Sequence, residues 1–138
     1  MIDRTKTILV NTTVIAVIAF VLVWGNTWWR QQTQFRRGEA ALAARDYVSA
    51  IAGYEAALHM YTPGSSTVGA AAQRLREIGE GFERGGDLER ALIAYRALRS
   101  SFYSAKWLVT PGTEWIALCD ARIAAILLRQ GYVPPAAR

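Results

Sequence analysis

Residues that bind metals or form disulfides are scarce in this sequence, which has one cysteine, Cys119, and one histidine, His59. A lone cysteine cannot form an intramolecular disulfide, and these two residues cannot supply a typical structural zinc site. The sequence also has no glycine-rich phosphate loop, no Gly-x-Ser-x-Gly elbow and no His-Glu-x-x-His motif. We therefore expect a protein that is not an enzyme, with no catalytic residue, metal, cofactor or small-molecule substrate.

Charge of one sign is not concentrated anywhere in the chain. The net charge is +5, but acidic and basic residues are interspersed from Arg30 to Arg129. Nucleic-acid binding usually requires a clustered basic patch, so we expect no nucleic-acid partner. Arg30, Arg36 and Arg37, which follow an apolar segment, favour contact with the anionic headgroups of a lipid bilayer instead.

That apolar segment runs from Thr7 to Gly25 and carries no charge. At a rise of ~1.5 Å per residue, a helix of this length spans roughly the ~30 Å hydrocarbon core of a bilayer. Trp24, Trp28 and Trp29 lie at its end, where aromatic rings prefer the headgroup region. The sequence therefore predicts an uncleaved membrane anchor. A cleaved signal peptide usually has a shorter apolar region, and a buried core helix would be unusually apolar for so short a chain.

The anchor divides the chain into three parts. We expect a cytoplasmic tail and transmembrane anchor over residues 1–30, one helical domain over 31–131 and a flexible tail over 132–138. Basic residues nearly balance on the two sides of the anchor. Since the later arginines belong partly to a folded domain, we favour a single-pass protein of the inner membrane with its helical domain on the periplasmic side.

Small and polar residues interrupt the apolar character of the anchor. Asn11, Thr12, Ala16 and Ala19 define a seam along one side of the predicted helix, which would permit close approach of a second membrane helix. The alternative is local: Thr12 and Thr13 bond back to carbonyls of their own helix, and Asn11 reaches the interface.

After the anchor the sequence indicates an all-α fold, because Ala, Leu, Arg and Glu dominate and no alternating strand pattern occurs. Capping and stop residues predict five helices. Their expected limits are at or before Gln34 to Arg45-Asp46, Tyr47 to Met60, Ser65, Ser66 or Thr67 to Arg84, Asp87 to Ser100, and Thr110-Pro111 or Thr113 to Gln130.

The helices contain an internal repeat with an offset of 41 residues. The matching positions are Gly38, Glu39, Asp46, Ala50 and Tyr54, which recur as Gly79, Glu80, Asp87, Ala91 and Tyr95. Such self-similarity is typical of helical-hairpin repeat architectures.

These residues resemble the tetratricopeptide repeat, in which a small residue of the first helix faces an alanine of the second and an aromatic residue follows. The resemblance covers residues 34–103 and implies two helical hairpins with the fifth helix as a terminal cap. Gln34, Arg37 and Ala41 depart from the family pattern. The offset of 41 also exceeds the family's period of about 34, which we interpret as a lengthened third helix.

The resemblance implies a concave face, lined by the first helix of each hairpin, that holds a peptide or a partner helix. The candidate partner-binding residues on it are Phe35, Glu39, Leu42, Gln73, Arg76, Glu80, Glu83 and Arg84. The alternative is that the charged members form ordinary solvated pairs within their helix. Phe102, Tyr103 and Trp107 form a second, aromatic candidate site, for which core packing against the fifth helix is the alternative.

Helical repeats on a membrane anchor, without a catalytic motif, indicate a protein-interaction module. We expect an accessory or scaffolding subunit of a larger bacterial membrane complex, whose other proteins are its partners. The alternative is a self-associating structural protein that forms homo-oligomers through its span and repeats. A scaffold should purify with unlike subunits, whereas a self-assembling protein should purify only with its own copies.

Overall fold

Five α-helices form the described part of the chain in a computed structural model, which covers residues 2–62, 64–105 and 111–132. The all-helical prediction is confirmed, since these residues contain no strand. The helices are α1 (Ile2–Ala43), α2 (Tyr47–His59), α3 (Ser66–Arg84), α4 (Leu88–Ser104) and α5 (Thr113–Arg129).

Helix α1 contains both the apolar segment and the first helix of the folded domain. It is helical without interruption for 42 residues, so the backbone does not break near residue 30. Among the described helices, α1 is the one long and apolar enough to cross a membrane, with a mean hydropathy of 2.3 in a window of which nothing is buried. The apolar segment and the domain are therefore joined by helix and not by a linker.

The same hydrogen-bonded turn follows α1 and α3, the first helices of the two helix pairs. The N–H of Asp46 donates to the carbonyl of Ala41, and the N–H of Asp87 donates to the carbonyl of Phe82, both over 2.9 Å. Each aspartate then caps the following helix, since its carboxylate accepts a backbone N–H over 3.1 Å. The turns that the sequence predicts at Asp46 and Asp87 thus have one shared geometry.

Both turns require a residue in the left-handed backbone region. Gly86 occupies it in the second turn with a φ of 79°, and Arg45 occupies the equivalent place in the first with a φ of 59°. Glycine enters this region freely, whereas a side chain on Cβ is strained there. Arg45 therefore carries backbone strain that its counterpart Gly86 avoids.

A glycine packed against a buried tyrosine holds each pair together. A Cβ atom on Gly38 would lie 2.8 Å from the ring of Tyr54, and one on Gly79 would lie 2.8 Å from the ring of Tyr95. Both tyrosines are fully buried. In the first pair, Gly53 also approaches the backbone of Gly38, because its own Cβ would lie 2.7 Å from the Gly38 nitrogen. Only glycines permit these approaches.

The remaining helices complete one core. Helices α1 and α2 form one antiparallel pair, α3 and α4 form another, α2 packs on α3 and α4, and α5 packs on α4. Ile116, Cys119 and Ile126 are buried on the stripe that the sequence predicts for α5, and Ile123 and Leu127 are partly buried there. α3 has 19 residues, α2 has 13 and α4 has 17.

The end of α4 differs from its predicted position. α4 continues to Ser104 instead of ending near Ser100, because Ser101 and Phe102 are buried and extend its packed face. α5 begins at Thr113, one of its two predicted starts, after Gly112 in the left-handed region with a φ of 70° and no side-chain cap. Burial at the end of α4 is therefore the one feature here that the spacing of capping residues does not predict.

Gly79→Ala should lower the free energy of unfolding by about 1–3 kcal/mol, because the new methyl group would overlap the immobile ring of Tyr95. Gly81→Ala is the matched control on the same helix, since nothing lies within 4 Å of a Cβ there. It should stabilise α3 by about 0.5–1 kcal/mol through lost backbone entropy. Denaturant unfolding of the full chain in detergent measures the free energy of unfolding of both variants. Equal changes in the two variants would contradict the close packing of Gly79 on Tyr95.

Arg45→Gly should raise the free energy of unfolding by about 0.5–1 kcal/mol, because glycine relieves the left-handed strain at this turn. Gly86→Ala should lower it by about 1 kcal/mol for the converse reason. The same unfolding measurement compares the two variants. A loss of stability in Arg45→Gly would show that the arginine side chain contributes more than its backbone strain removes.

Candidate functional site

The residues predicted to line one concave face occupy several different environments. Glu39 lies where three helices meet. Its carboxylate accepts the Tyr54 hydroxyl over 2.6 Å and the Arg74 guanidinium over 2.8 and 3.2 Å. Arg74 also pairs with Glu77 at 3.0 Å. Glu39 thus links α1 to α2 and α3 and uses its oxygens within the fold.

These contacts shift the protonation equilibria of the cluster. The hydrogen bond from Tyr54 is the main cause that lowers the pKa of Glu39, and the Arg74 guanidinium lowers it further. Burial raises the pKa of Tyr54, and the bond to Glu39 adds to the increase. The cluster therefore favours an ionised Glu39 beside a neutral Tyr54.

The two apolar candidates of α1 belong partly to the core. The ring of Phe35 lies 5.6 Å from that of Tyr54, centroid to centroid. Leu42 is half-buried and lines a groove with Tyr47 and Phe82, whose rings are 4.8 Å apart. Both side chains contribute to helix packing, whatever else they bind.

The polar candidates near the middle of α3 form pairs along their own helix. The amide of Gln73 donates to Glu77 over 3.0 Å, and the guanidinium of Arg76 pairs with Glu80 at 2.7 Å. Glu80 also accepts, through its backbone carbonyl, a 3.3 Å hydrogen bond from Arg84. This is the geometry of the solvated intrahelical pairs that the sequence left as an alternative.

Glu80, Glu83 and Arg84 lie in a charged groove between α3 and α5. The groove has a volume of about 550 Å³, and Arg122 and Arg129 of α5 line its other side. Glu83 is its centre: its carboxylate lies 3.8 Å from Arg122 and 3.4 Å from Arg129. The two α5 arginines are not among the predicted site residues, because the spacing of α5 indicates only the apolar stripe of a terminal cap.

The buried tyrosine of the second pair also binds a carboxylate, but a different one. The hydroxyl of Tyr95 donates to Glu83 over 3.1 Å, whereas the repeat pattern would have paired it with Glu80. Burial raises the pKa of Tyr95, and the bond to Glu83 adds to this. The two repeats therefore share a buried tyrosine but differ in the carboxylate that accepts its hydrogen bond. Position 83 of the second repeat holds a glutamate, whereas the equivalent position of the first repeat holds Leu42, which cannot accept a hydrogen bond.

The aromatic candidates separate into core and surface. Phe102 is buried, and Gly112 packs directly against its ring. Tyr103 is exposed, with the guanidinium carbon of Arg99 4.6 Å from its ring centroid. Trp107 lies outside the described residues. Phe102 thus has the core position that is the predicted alternative to partner binding.

The predicted membrane seam is uncovered in this structure. Asn11, Thr12, Ala16 and Ala19 are all exposed along α1, as are the apolar side chains around them. The hydroxyl of the neighbouring Thr13 donates to the carbonyl of Leu9 over 2.9 Å. Thr13 therefore bonds to its own helix, as the local alternative predicts for this residue.

A second groove lies between α2 and α4, at a place where no site is predicted from the sequence. It has a volume of about 480 Å³, and its lining includes Val48, Ile51, Phe82 and Ile93. Val48 is 81% exposed and Ile93 is 55% exposed, unusual values for aliphatic side chains in a helical domain. The sequence could have indicated this groove through Val48 and Ile93, which are apolar residues outside the buried stripes of α2 and α4.

The two residues most often associated with reactivity are not combined in a site. Cys119 is buried, and burial raises the pKa of its thiol to about 11, so it remains protonated at neutral pH. His59 is exposed at the end of α2. Within the described ranges, no three His, Cys, Asp or Glu side chains are grouped to hold a metal ion.

Comparison of the chain with protein-family models, with curated proteins and with solved structures gives no match. The resemblance to the tetratricopeptide repeat consequently depends on the sequence pattern and on the glycine–tyrosine geometry of the two helix pairs.

Glu39→Gln should destabilise the chain at neutral pH, and this difference should shrink as the pH falls. The folded-state pKa of Glu39 lies below its ordinary value of 4.5, so its carboxylate stabilises the fold above that pH and loses this effect on protonation. Thermal unfolding of wild type and variant from pH 7 to pH 3 measures the difference. Glu89→Gln, at an exposed position of α4, is the control, and a difference that is independent of pH would refute the role of Glu39.

Proposed function

We propose that this chain is a single-span membrane protein whose helical-repeat domain binds other proteins, as an accessory or scaffolding subunit of a larger membrane complex. In this proposal the domain lies on the periplasmic side of a bacterial inner membrane. The observation that carries the proposal is α1, which bears an uncovered apolar segment and continues unbroken into the folded domain. A chain built in this way holds its domain close to a membrane.

The character of the domain supports a binding role. Its two helix pairs repeat the same glycine–tyrosine packing, as in families that stack hairpins to present a recognition surface. The charged groove contains three arginines, Arg84, Arg122 and Arg129, against two glutamates. Glu83 is already shared by two arginines and Tyr95, so a partner that supplies a further carboxylate would complement the groove. We therefore propose an acidic segment of a partner protein as its ligand.

Self-association is the second candidate, and the exposed seam on α1 favours it. Small residues at Ala16 and Ala19 allow the backbones of two membrane helices to approach closely. Extraction of the chain from native membranes in mild detergent, followed by analysis of mass and subunit composition, separates the two functions. Unlike subunits in stoichiometric amount support the accessory role, whereas copies of this chain alone support the structural one.

Arg84→Gln combined with Arg122→Gln should remove stoichiometric unlike subunits from the purified complex, because both changes remove positive charge from the groove while leaving a polar side chain at each position. The melting temperature should change little, since Glu83 keeps Arg129 and the Tyr95 hydroxyl as partners and the half-exposed Arg122 contributes at most about 1 kcal/mol. Arg37→Gln combined with Arg96→Gln is the matched control, because it removes the same charge at exposed positions outside the groove. Retention of all subunits by the groove variant would contradict binding there.

A further inference from the structure

The position of the domain along α1 is fixed by one buried side chain, Gln31. Its amide nitrogen donates to the carbonyls of Ala57 and Met60 over 3.1 and 2.9 Å, and its oxygen accepts the Ser65 hydroxyl over 2.6 Å. The next residue, Gln32, donates to the hydroxyl of Thr67 over 2.6 Å. The end of α2 and the start of α3 are therefore held level with Gln31 and Gln32.

This level is close to the end of the apolar segment. Gln31 follows Gly25 by less than two helical turns, which places it about 9 Å further along the axis. The headgroup region is about 5–7 Å thick on each side of the hydrocarbon core. α2 runs towards the apolar segment and α3 runs away from it, so the described residues between them, Tyr61, Thr62 and Gly64, lie at the end of the domain that faces a bilayer containing the segment, beside the outer edge of its headgroup layer.

The composition of this end of the domain suits a lipid interface. On α1, Trp28 and Trp29 are exposed. A shallow groove next to the start of α3 is lined by Tyr61 and Trp115, by the apolar Val68 and Phe102, and by small or polar residues, and Glu114 is the one charged residue in its described lining. Amphipathic aromatic rings among small polar groups are typical of protein surfaces at headgroup depth.

The opposite end of the domain has a different character. The turns after α1 and α3 and the C-terminal end of α5 all lie there, because α1, α3 and α5 run in one direction. Glu83, Arg84 and Arg129 of the charged groove are at this end. The two ends therefore differ in chemistry, with aromatic and small polar residues towards the apolar segment and charged residues away from it.

We propose that the end of the domain formed by the described residues between α2 and α3 and by the first turns of α3 and α5 lies against the headgroup layer of the bilayer. The domain is thereby held against the membrane, with its charged groove directed away from it. This inference rests on the proposed function, because it requires the apolar segment of α1 to be in the membrane.

Tryptophan fluorescence in vesicles tests the proposal. The five tryptophans of the full chain are replaced by phenylalanine, and one reporter is restored or added at a time. The reporters are Trp28 itself, Ser66→Trp and Gly69→Trp at exposed positions of the first turns of α3, and Val48→Trp at the opposite end. The vesicles are phosphatidylcholine containing a fraction of lipid with a nitroxide on its headgroup, which quenches fluorescence at headgroup depth.

The reporter at Trp28 should be quenched most strongly, because it lies at headgroup depth, and the Ser66→Trp reporter should be quenched less than Trp28 but several-fold more than the Val48→Trp reporter. Gly69→Trp should agree with Ser66→Trp, and circular dichroism selects the variants that retain the helical fold. Quenching of Trp28 without quenching of either α3 reporter would overturn the inference and leave the anchor intact. A chain that floats free of the vesicles, with no reporter quenched, would overturn the anchor and this inference together.

Discussion

The buried amide of Gln31 joins α1 to the end of α2 and the start of α3 at one point of the structure. The carbonyls at the end of α2 have no partner within that helix, and Gln31 supplies one to two of them. Through Ser65, which caps α3 by accepting the N–H of Thr67 over 3.3 Å, the same amide also reaches the start of the next helix. One side chain of α1 therefore bonds both to the end of α2 and to the start of α3, and it helps to place both along α1.

Local signals in the sequence predicted much of this fold. Asp46 and Asp87 predicted the starts of α2 and α4, because an aspartate before a helix can accept hydrogen bonds from the first backbone N–H groups. The structure shows both caps. The glycine and tyrosine spacing predicted close helix pairs. The left-handed Arg45 could not be predicted, since its conformation is imposed by the hydrogen bond that closes the turn and not by its own preference. The end of α4 depended equally on burial of Phe102, a contact with a distant segment.

The candidate site was less predictable, because charged side chains choose partners in three dimensions. The sequence placed Glu39 and Glu80 at equivalent repeat positions, yet Glu39 bonds to Tyr54 and Arg74, whereas Glu80 pairs with Arg76 on its own helix. The charged groove is formed by α3 together with Arg122 and Arg129 of α5. These arginines are far from Glu83 along the chain, so the sequence does not indicate that they contact it. Periodicity identifies which face of a helix is polar, but only the packing of another helix decides which charges meet.

The junction between the apolar segment and the domain explains why a glutamine is favoured over an apolar residue at position 31. An apolar side chain would fill the space, but it would remove the hydrogen-bond partner of two carbonyls at the end of α2 and of the Ser65 hydroxyl. A buried polar group left unpaired costs about 1–3 kcal/mol. A charged side chain would have to be desolvated there. An amide has two donors and one carbonyl acceptor, which match the two carbonyls and the hydroxyl that it meets. Its hydrogen bonds also specify direction, so they resist sliding of α2 along α1, which apolar contacts alone would permit. Because α1 has no hinge between Gly25 and Gln31, that resistance transmits the position of the apolar segment to the whole domain.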